Sequence, residues 1–287
     1  MDPDPEIALP DMVAPVLPVA TLGELLVPLA LAIARPIGLI AVFPLFTRAQ
    51  LGGLIRGGVA IVVVLPLVPG IVDAYDAGRE TMRAIPIVYT LKEVLVGALL
   101  GVLLGLPFWA VQAVGEVVDT QRGVTNSDME DAATGSQMAV TGLFLGFASV
   151  ALFVAADGLL AMSEVLYDSY EVWPVMRLGM SFNADGLGLL ASMIDYIFRY
   201  ALALGGPLLV MLLLTDVSLA FLSRSAPQIV TMDVSPTIKN LVFTLFLTVY
   251  GLFFTQYIAD ELAAVRDVPD LLRLVLDGPS VLSGDGG

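Results

Sequence analysis

Apolar residues along this chain gather into long runs, and polar residues are confined to the short pieces between them. Crossing the hydrocarbon core of a bilayer takes about 20 mostly apolar residues. Six runs are of that order: Leu22 to Phe46, Gly53 to Val72, Ile87 to Val114, Met138 to Leu166, Leu187 to Leu222 and Ile238 to Ile258. The pattern predicts an all-α integral membrane protein.

Several runs are poor as plain spanning helices. The first carries Pro28, Pro36 and Pro44 together with Arg35, the second ends in LPLVPG, the third contains Pro107, and the fifth holds Gly205, Gly206 and Pro207 near its middle. Proline removes a backbone donor and clashes with the preceding turn, so such helices kink or break. In lipid the freed carbonyls must then be satisfied by protein or by water in a cavity. The fifth run, continuous, would be about 54 Å long. It reads better as two helices joined at the Gly-Gly-Pro.

Composition fixes the class. Hydrophobic residues make up 57% of the 287 and charged ones 14%, with a mean hydropathy of +0.89; soluble domains run at about 45–50% and about 25%. The net charge is −15. Much of it sits in two flanks, Asp2, Asp4, Glu6 and Asp11, then Asp260, Glu261, Asp267, Asp270, Asp277 and Asp285, which read as solvated tails. The expected organisation is an acidic arm over 1–21, a helical membrane domain over 22–262 and an acidic tail over 263–287 with a disordered SGDGG end. The N-terminus lacks the basic segment of a secretory signal, so the first run is expected to be retained. Without clustered Lys and Arg, nucleic acid is excluded as a partner. Without Cys or His, disulfides, thiol nucleophiles, His triads and nearly every zinc site are excluded. Neither a metal nor a cofactor is expected.

The usual excess of Lys and Arg in cytoplasmic loops fails to orient the chain. Alternate loops collect Arg48, Arg56, Arg122, Arg224 and Lys239 on one side, and Arg79, Arg83, Lys92, Arg177, Arg266 and Arg273 on the other. A near tie fits segments that do not simply zigzag through a bilayer.

Three sets of residues are candidates for function. Gly97, Gly101 and Gly105 stand four apart, as do Gly142 and Gly146, aligning small residues where another backbone can approach. Ionisable residues inside apolar runs are costly and therefore functional candidates: Arg35, Asp157, Asp195, Arg199 and Asp216. Asp195 and Arg199, four apart, are spaced for an ion pair within an interface; Arg35 and Asp216 fit a polar lining and a structural pair equally. The third set is the polar stretch VVDTQRGVTNSDMEDAATGSQMAV from Val117 to Val140, which begins while the third run still reads as helix, with Glu116 and Asp119 one turn apart. It is either a solvated connection or, being longer than about 12 residues, a functional loop. No carboxylate pair has the company an enzyme site needs, so catalysis is not expected.

Ordered blocks carry a family resemblance. ARPIGLIAVFPLF followed by LGGLIRGGVA, then KEVLVGALLGVLLGLPFWAVQAVGEVVDTQRG, TGSQ, LYDSYEVWPV and LLLTDVSLAFLSRSAPQ resemble the T subunit of the type III secretion export apparatus, whose flagellar counterpart is the R subunit. The resemblance covers about Leu22 to Tyr257. It implies helical hairpins that join R, S and U-type subunits in a helical hetero-oligomeric export gate of the bacterial inner membrane, raised toward the periplasm, with inner-membrane lipids and unfolded secreted polypeptides as further partners. The chain would be its single-copy, non-enzymatic member.

By position, the resemblance places a channel-closing plug on Gln121, Arg122 and Gly123, on the acidic Asp128, Glu130 and Asp131, and on Gly135, Ser136, Gln137 and Met138. The chain departs from the family where Asp131-Ala132-Ala133-Thr134-Gly135-Ser136 stands in place of an Asp-Pro pattern. The WPV and APQ blocks lean toward the virulence-associated injectisome branch. An alternative reading is a secondary transporter of a small solute, with broken helices and Asp216, Asp195 and Arg35 at a midplane site.

Overall fold

In a computed structural model, residues 19–49, 51–83, 86–123, 139–178, 184–225 and 234–263 are described; both termini and most of the polar stretch lie outside them. The described residues are helical with no strand. In order they are α1 (Val19–Val42), α2 (Pro44–Arg48), α3 (Gly53–Val64), a 3₁₀ turn (Leu65–Leu67), α4 (Val68–Arg83), α5 (Pro86–Arg122), α6 (Val140–Ala155), α7 (Gly158–Val172), α8 (Ala184–Ser225) and α9 (Val234–Ala263). Four stretches are long and apolar enough to cross a membrane: Gly53–Gly78, Pro86–Arg122, Phe198–Ser225 and Val234–Gln256. The pair α6–α7, bent by 76°, makes a fifth if it counts as one span.

The central mast is α5. Of its most apolar window 61% is buried, against 17% for the spans on α3–α4 and α9. Glycine makes this possible. A methyl built on Gly97 would overlap the Arg35 carbonyl, one on Gly38 would overlap the Val94 carbonyl, and one on Gly101 would stand 2.6 Å from the Leu39 carbonyl. The α1 and α5 backbones therefore lie against each other with no side chain between them, the close approach that small residues allow in membrane helices. About five turns further along the same face, Gly115 of α5 meets the backbone of Gly142 on α6, and the Arg48 guanidinium passes over Gly146. Between these seams Phe43, Phe108 and Phe153 pack edge to face with ring centroids 5.4 to 5.6 Å apart, joining the α1–α2 break to α5 and α6.

These contacts set the directions. Leu39 lies by Gly101 and Pro44 by Gly105, so α1 and α2 run parallel to α5. Thr141 lies by Asp119, and Trp173 faces Lys92, so α6–α7 returns antiparallel. Gly205 packs on Val114 and Asp216 meets Lys239, which bonds the Gln121 carbonyl, so α8 runs parallel to α5, and Tyr250 by Leu204 sets α9 antiparallel to both.

One sequence expectation needs correction. The fifth apolar run is one 42-residue helix with Pro207 inside it, not two. Likewise α1 continues through Pro28 and Pro36, and α5 through Pro107. A tyrosine hydroxyl explains why the Pro36 site holds. Pro36 cannot donate to the carbonyl of Ala32, and the Tyr170 hydroxyl donates to that oxygen instead, at 3.1 Å. Tyr250 donates to the Leu204 carbonyl near Pro207 at 2.8 Å, and Tyr167 to the Val63 carbonyl near Pro66 at 2.8 Å. At Pro36 a neighbouring helix thus supplies what proline removes. True breaks occur where Phe43 leaves the helix ahead of Pro44, a residue pre-set for a first helical turn, in the 3₁₀ turn at Pro66, and at Asp157, which adopts φ 57° between α6 and α7.

Replacing Gly97 by Val should separate α1 from α5 and cost at least about 3 kcal/mol, in the range for overpacked buried sites, read as loss of folded protein in a detergent unfolding titration. Ala at Gly206, which has open space around its Cα, should be neutral or stabilising by up to about 1 kcal/mol. Tyr167→Phe, which leaves the Val63 carbonyl unpaired, should cost about 1 kcal/mol by the same assay.

Candidate functional site at the two charged ends of the mast

Charge enters the interior near both ends of α5, and between them the buried Arg48 guanidinium donates to the Gln112 side-chain oxygen. Near the start of α5, Arg35 and Glu93 are both fully buried and pair at 2.7 Å. The guanidinium also donates to the Ser169 hydroxyl at 3.0 Å and to the Trp173 carbonyl at 2.7 Å, and it stacks 3.9 Å from the Tyr170 ring centroid. Lys92 lies 2.5 Å from the other Glu93 oxygen and donates to the carbonyls of Pro174, Val175 and Arg177 at 3.1, 2.8 and 3.3 Å. The Trp173 indole N–H donates to the Arg177 carbonyl at 2.9 Å. The segment from Trp173 to Arg177 has no regular structure of its own and is wound around the Lys92 ammonium. Burying ions is tolerable only with this degree of pairing and hydrogen bonding.

The other end closes the base of the polar stretch. Asp119 is buried on the last turns of α5, and its carboxylate accepts from the Thr141 backbone N–H at 2.7 Å and the Thr141 hydroxyl at 2.5 Å. Thr141 lies in the first turn of α6, whose backbone donors have no partner within the helix, so an anion from α5 caps α6 across the loop. Arg122 stands 3.4 Å from Asp119, donates to the Asn240 side-chain oxygen at 3.0 Å and lies 4.1 Å from the Phe243 ring centroid. Lys239 pairs with Asp216 at 2.5 Å and donates to the Gln121 carbonyl at 3.2 Å. Gly123, at φ 78°, ends α5 in the left-handed conformation that glycine adopts without strain. Residues from α5, α6, α8 and α9 thereby hold both ends of the stretch 124–138.

The sequence-selected residues divide accordingly. Arg35 and Asp119 are buried; Gln121, Arg122 and Gly123 form the loop base. Val117 to Arg122 belong to α5 and Val140 to α6, so the expected loop boundaries shrink to the 124–138 interval. Asp128, Glu130, Asp131, Gly135, Ser136, Gln137 and Met138 lie outside the described residues. Glu116 is exposed and accepts from Gln112 at 2.9 Å. Asp195 and Arg199 pair at 3.4 Å, but with side chains 71% and 82% exposed they are not buried, because this turn of α8 faces outward. Asp216 is half-buried with Lys239, and Asp157 is exposed at the α6–α7 bend. Arg35, Asp195 and Asp216 belong to three separate contacts rather than one solute site.

Sequence reasoning passed over Glu93, Thr141, Ser169, Tyr170, Trp173 and Asn240, and treated Lys92 and Lys239 only as loop charge. For Lys92 and Glu93 a signal existed: the Lys-Glu pair falls inside the run from Ile87 to Val114. The uncharged partners of the clamp carry no such mark.

The family described as "Bacterial export proteins, family 1" matches residues 26–265 of this chain. The chain belongs to it. Among relatives of this export family, the Yop proteins translocation protein T of Yersinia pestis is 26% identical over 248 residues, 86% of this chain and 94% of its own length. The surface presentation of antigens protein SpaR of Salmonella typhimurium is 31% identical over 221 residues, 77% of this chain and 81% of that one. The flagellar biosynthetic protein FliR of Escherichia coli is 25% identical over 195 residues, 68% of this chain and 73% of that one. The chain is thus an all-α, multi-pass membrane member of a bacterial export family.

Glu93→Ala leaves two buried cations without their carboxylate and should cost about 3–5 kcal/mol. Asp195→Ala, which removes an exposed partner, should change stability by no more than about 0.5 kcal/mol. Detergent unfolding of the two variants side by side checks the contrast.

Proposed function

We propose that this protein is a single-copy subunit of a type III protein-export gate in the bacterial inner membrane, and that the 124–138 interval obstructs a conduit for unfolded polypeptides. The observation carrying this reading is the double clamp at the base of that interval. Asp119–Thr141 and Arg122–Asn240 pin both ends of a long polar segment to three helices, as a plug must be pinned if its tip is to move without its base. A polar segment with few apolar contacts opens at low free-energy cost, and hydrated side chains suit a seal that yields to a passing chain.

Exposed apolar faces on α3, α8 and α9, including Leu54, Leu213 and Leu245, support assembly with R, S and U-type subunits as well as lipid contact. The names of the relatives, which refer to translocation and flagellar biosynthesis, support the export role. Energy for transport would come from partners, since the sequence carries no phosphate-binding GxxxxGK[ST] segment.

Deleting Gly123 to Gly135 should raise ion conductance across membranes containing the assembled complex while the complex still co-purifies. Unchanged leakage and unchanged secretion would sink the plug assignment. Asp119→Ala should also leak, by loosening the base with the plug residues intact.

A further inference from the structure

Where α7 ends, Trp173 leaves the helix and the chain makes a four-residue turn in which the Arg177 N–H donates to the Pro174 carbonyl at 3.1 Å. The carbonyls of Pro174, Val175 and Arg177 converge from this turn on one point, the Lys92 ammonium, at 3.1, 2.8 and 3.3 Å. The Glu93 carboxylate lies 2.5 Å from the same nitrogen, and the Trp173 ring centroid 5.5 Å from it. We propose that these four oxygens form a binding site for one monovalent cation, that the Lys92 side chain fills it from α5, and that a free potassium or ammonium ion takes its place when that side chain is cut back.

Charge balance shows that Glu93 alone does not account for the lysine. Arg35 already pairs with Glu93 at 2.7 Å, so one buried carboxylate faces two buried cations. A buried charge needs partners, and for the second cation they are the negative ends of three peptide dipoles. The turn needs the ammonium in return. Its residues belong to no helix or strand, and buried carbonyls without a ladder must find donors elsewhere.

Shape shows that the site suits a compact ion. Carbonyl oxygens gathered around a point can replace the hydration shell of a cation. The lysine ammonium is a point charge with three donors, whereas the guanidinium of arginine is a planar fork that cannot turn its donors toward oxygens converging on a single centre. Access is available as well, because Lys92 and Trp173 also line a groove of about 450 Å³ on α5. Lys92 is therefore a positioning residue for the 173–177 turn, which joins the end of α7 to the start of α5. The inference is independent of the role of the 124–138 interval.

The test uses the full-length chain in detergent with Trp109→Phe, so that Trp173 is the sole indole, and follows both Trp173 emission and the unfolding midpoint. Lys92→Ala should shift the emission and lower the midpoint. Potassium or ammonium chloride should restore both, and tetramethylammonium chloride at equal ionic strength, its cation too large for the site, should not. Above the dissociation constant, each tenfold rise in the free cation should raise the folded-to-unfolded ratio about tenfold. With Lys92 present the three salts should act alike. Lys92→Arg, which keeps the charge, and Lys92→Met, which keeps much of the bulk, should both lower the midpoint, with no recovery specific to one salt. A Lys92→Arg variant as stable as the parent would overturn the compact-ion site in favour of simple charge, and an equally stable Lys92→Met would overturn the need for any cation. Equal behaviour of Lys92→Ala in all three salts, whether it starts folded or unfolded, would overturn the ion site itself.

Discussion

A glycine face on α5 lets the α1 backbone touch its own, and the buried pair Arg35–Glu93 then fixes that contact in one register. The two features depend on each other. Without Gly97 and Gly101 the helices could not approach closely enough for Arg35 to reach Glu93 and also Ser169 and Trp173 on the returning α7 segment. Without the charge, a glycine seam in an apolar setting would have little to oppose sliding along the helix axis. The cation's demand for partners is what specifies one position, since any slip would leave it buried and unpaired.

The same logic recurs at the other end of the mast. Asp119 satisfies the first turn of α6, and Arg122 and Lys239 extend the link to α9 and α8. Between the two charged ends the interior is mostly apolar and aromatic, with Phe43, Phe108 and Phe153 at the centre and the buried Arg48 bonded to Gln112 as the one charged exception among the described residues. Sidedness is therefore built into the molecule: one end winds an irregular segment around a lysine, and the other gathers the roots of a long polar interval. A mast clamped at both ends holds the helices packed on it in fixed register.

Much of the fold was legible in the sequence because its cause is composition: long apolar runs, and glycines at a spacing of four in the places where α5 and α6 meet their neighbours. The site was legible only where a charge stood alone in such a run, as with Arg35. Lys92 and Glu93 were overlooked because, standing near the beginning of a run, the lysine reads as loop charge. Proline misled for a clear physical reason. A helix in isolation cannot replace the bond that Pro36 removes, but Tyr170 supplies a hydroxyl from a helix distant in sequence, and such a partner leaves no local trace. Asp195 and Arg199 show the converse, being spaced correctly for a pair while the sequence gives no sign that their helix faces outward.

The bend at Asp157 acquires its meaning from simple geometry. Unbent, α6 and α7 with their junction would extend about 50 Å, overshooting the roughly 40 Å of α5 between Asp119 and Lys92. Two arms of about 24 and 22 Å set at 76° reach end to end about 37 Å, by the cosine rule. The left-handed aspartate thus trims a strut to the length of the mast beside it, so that Thr141 and Trp173 reach their charged partners together.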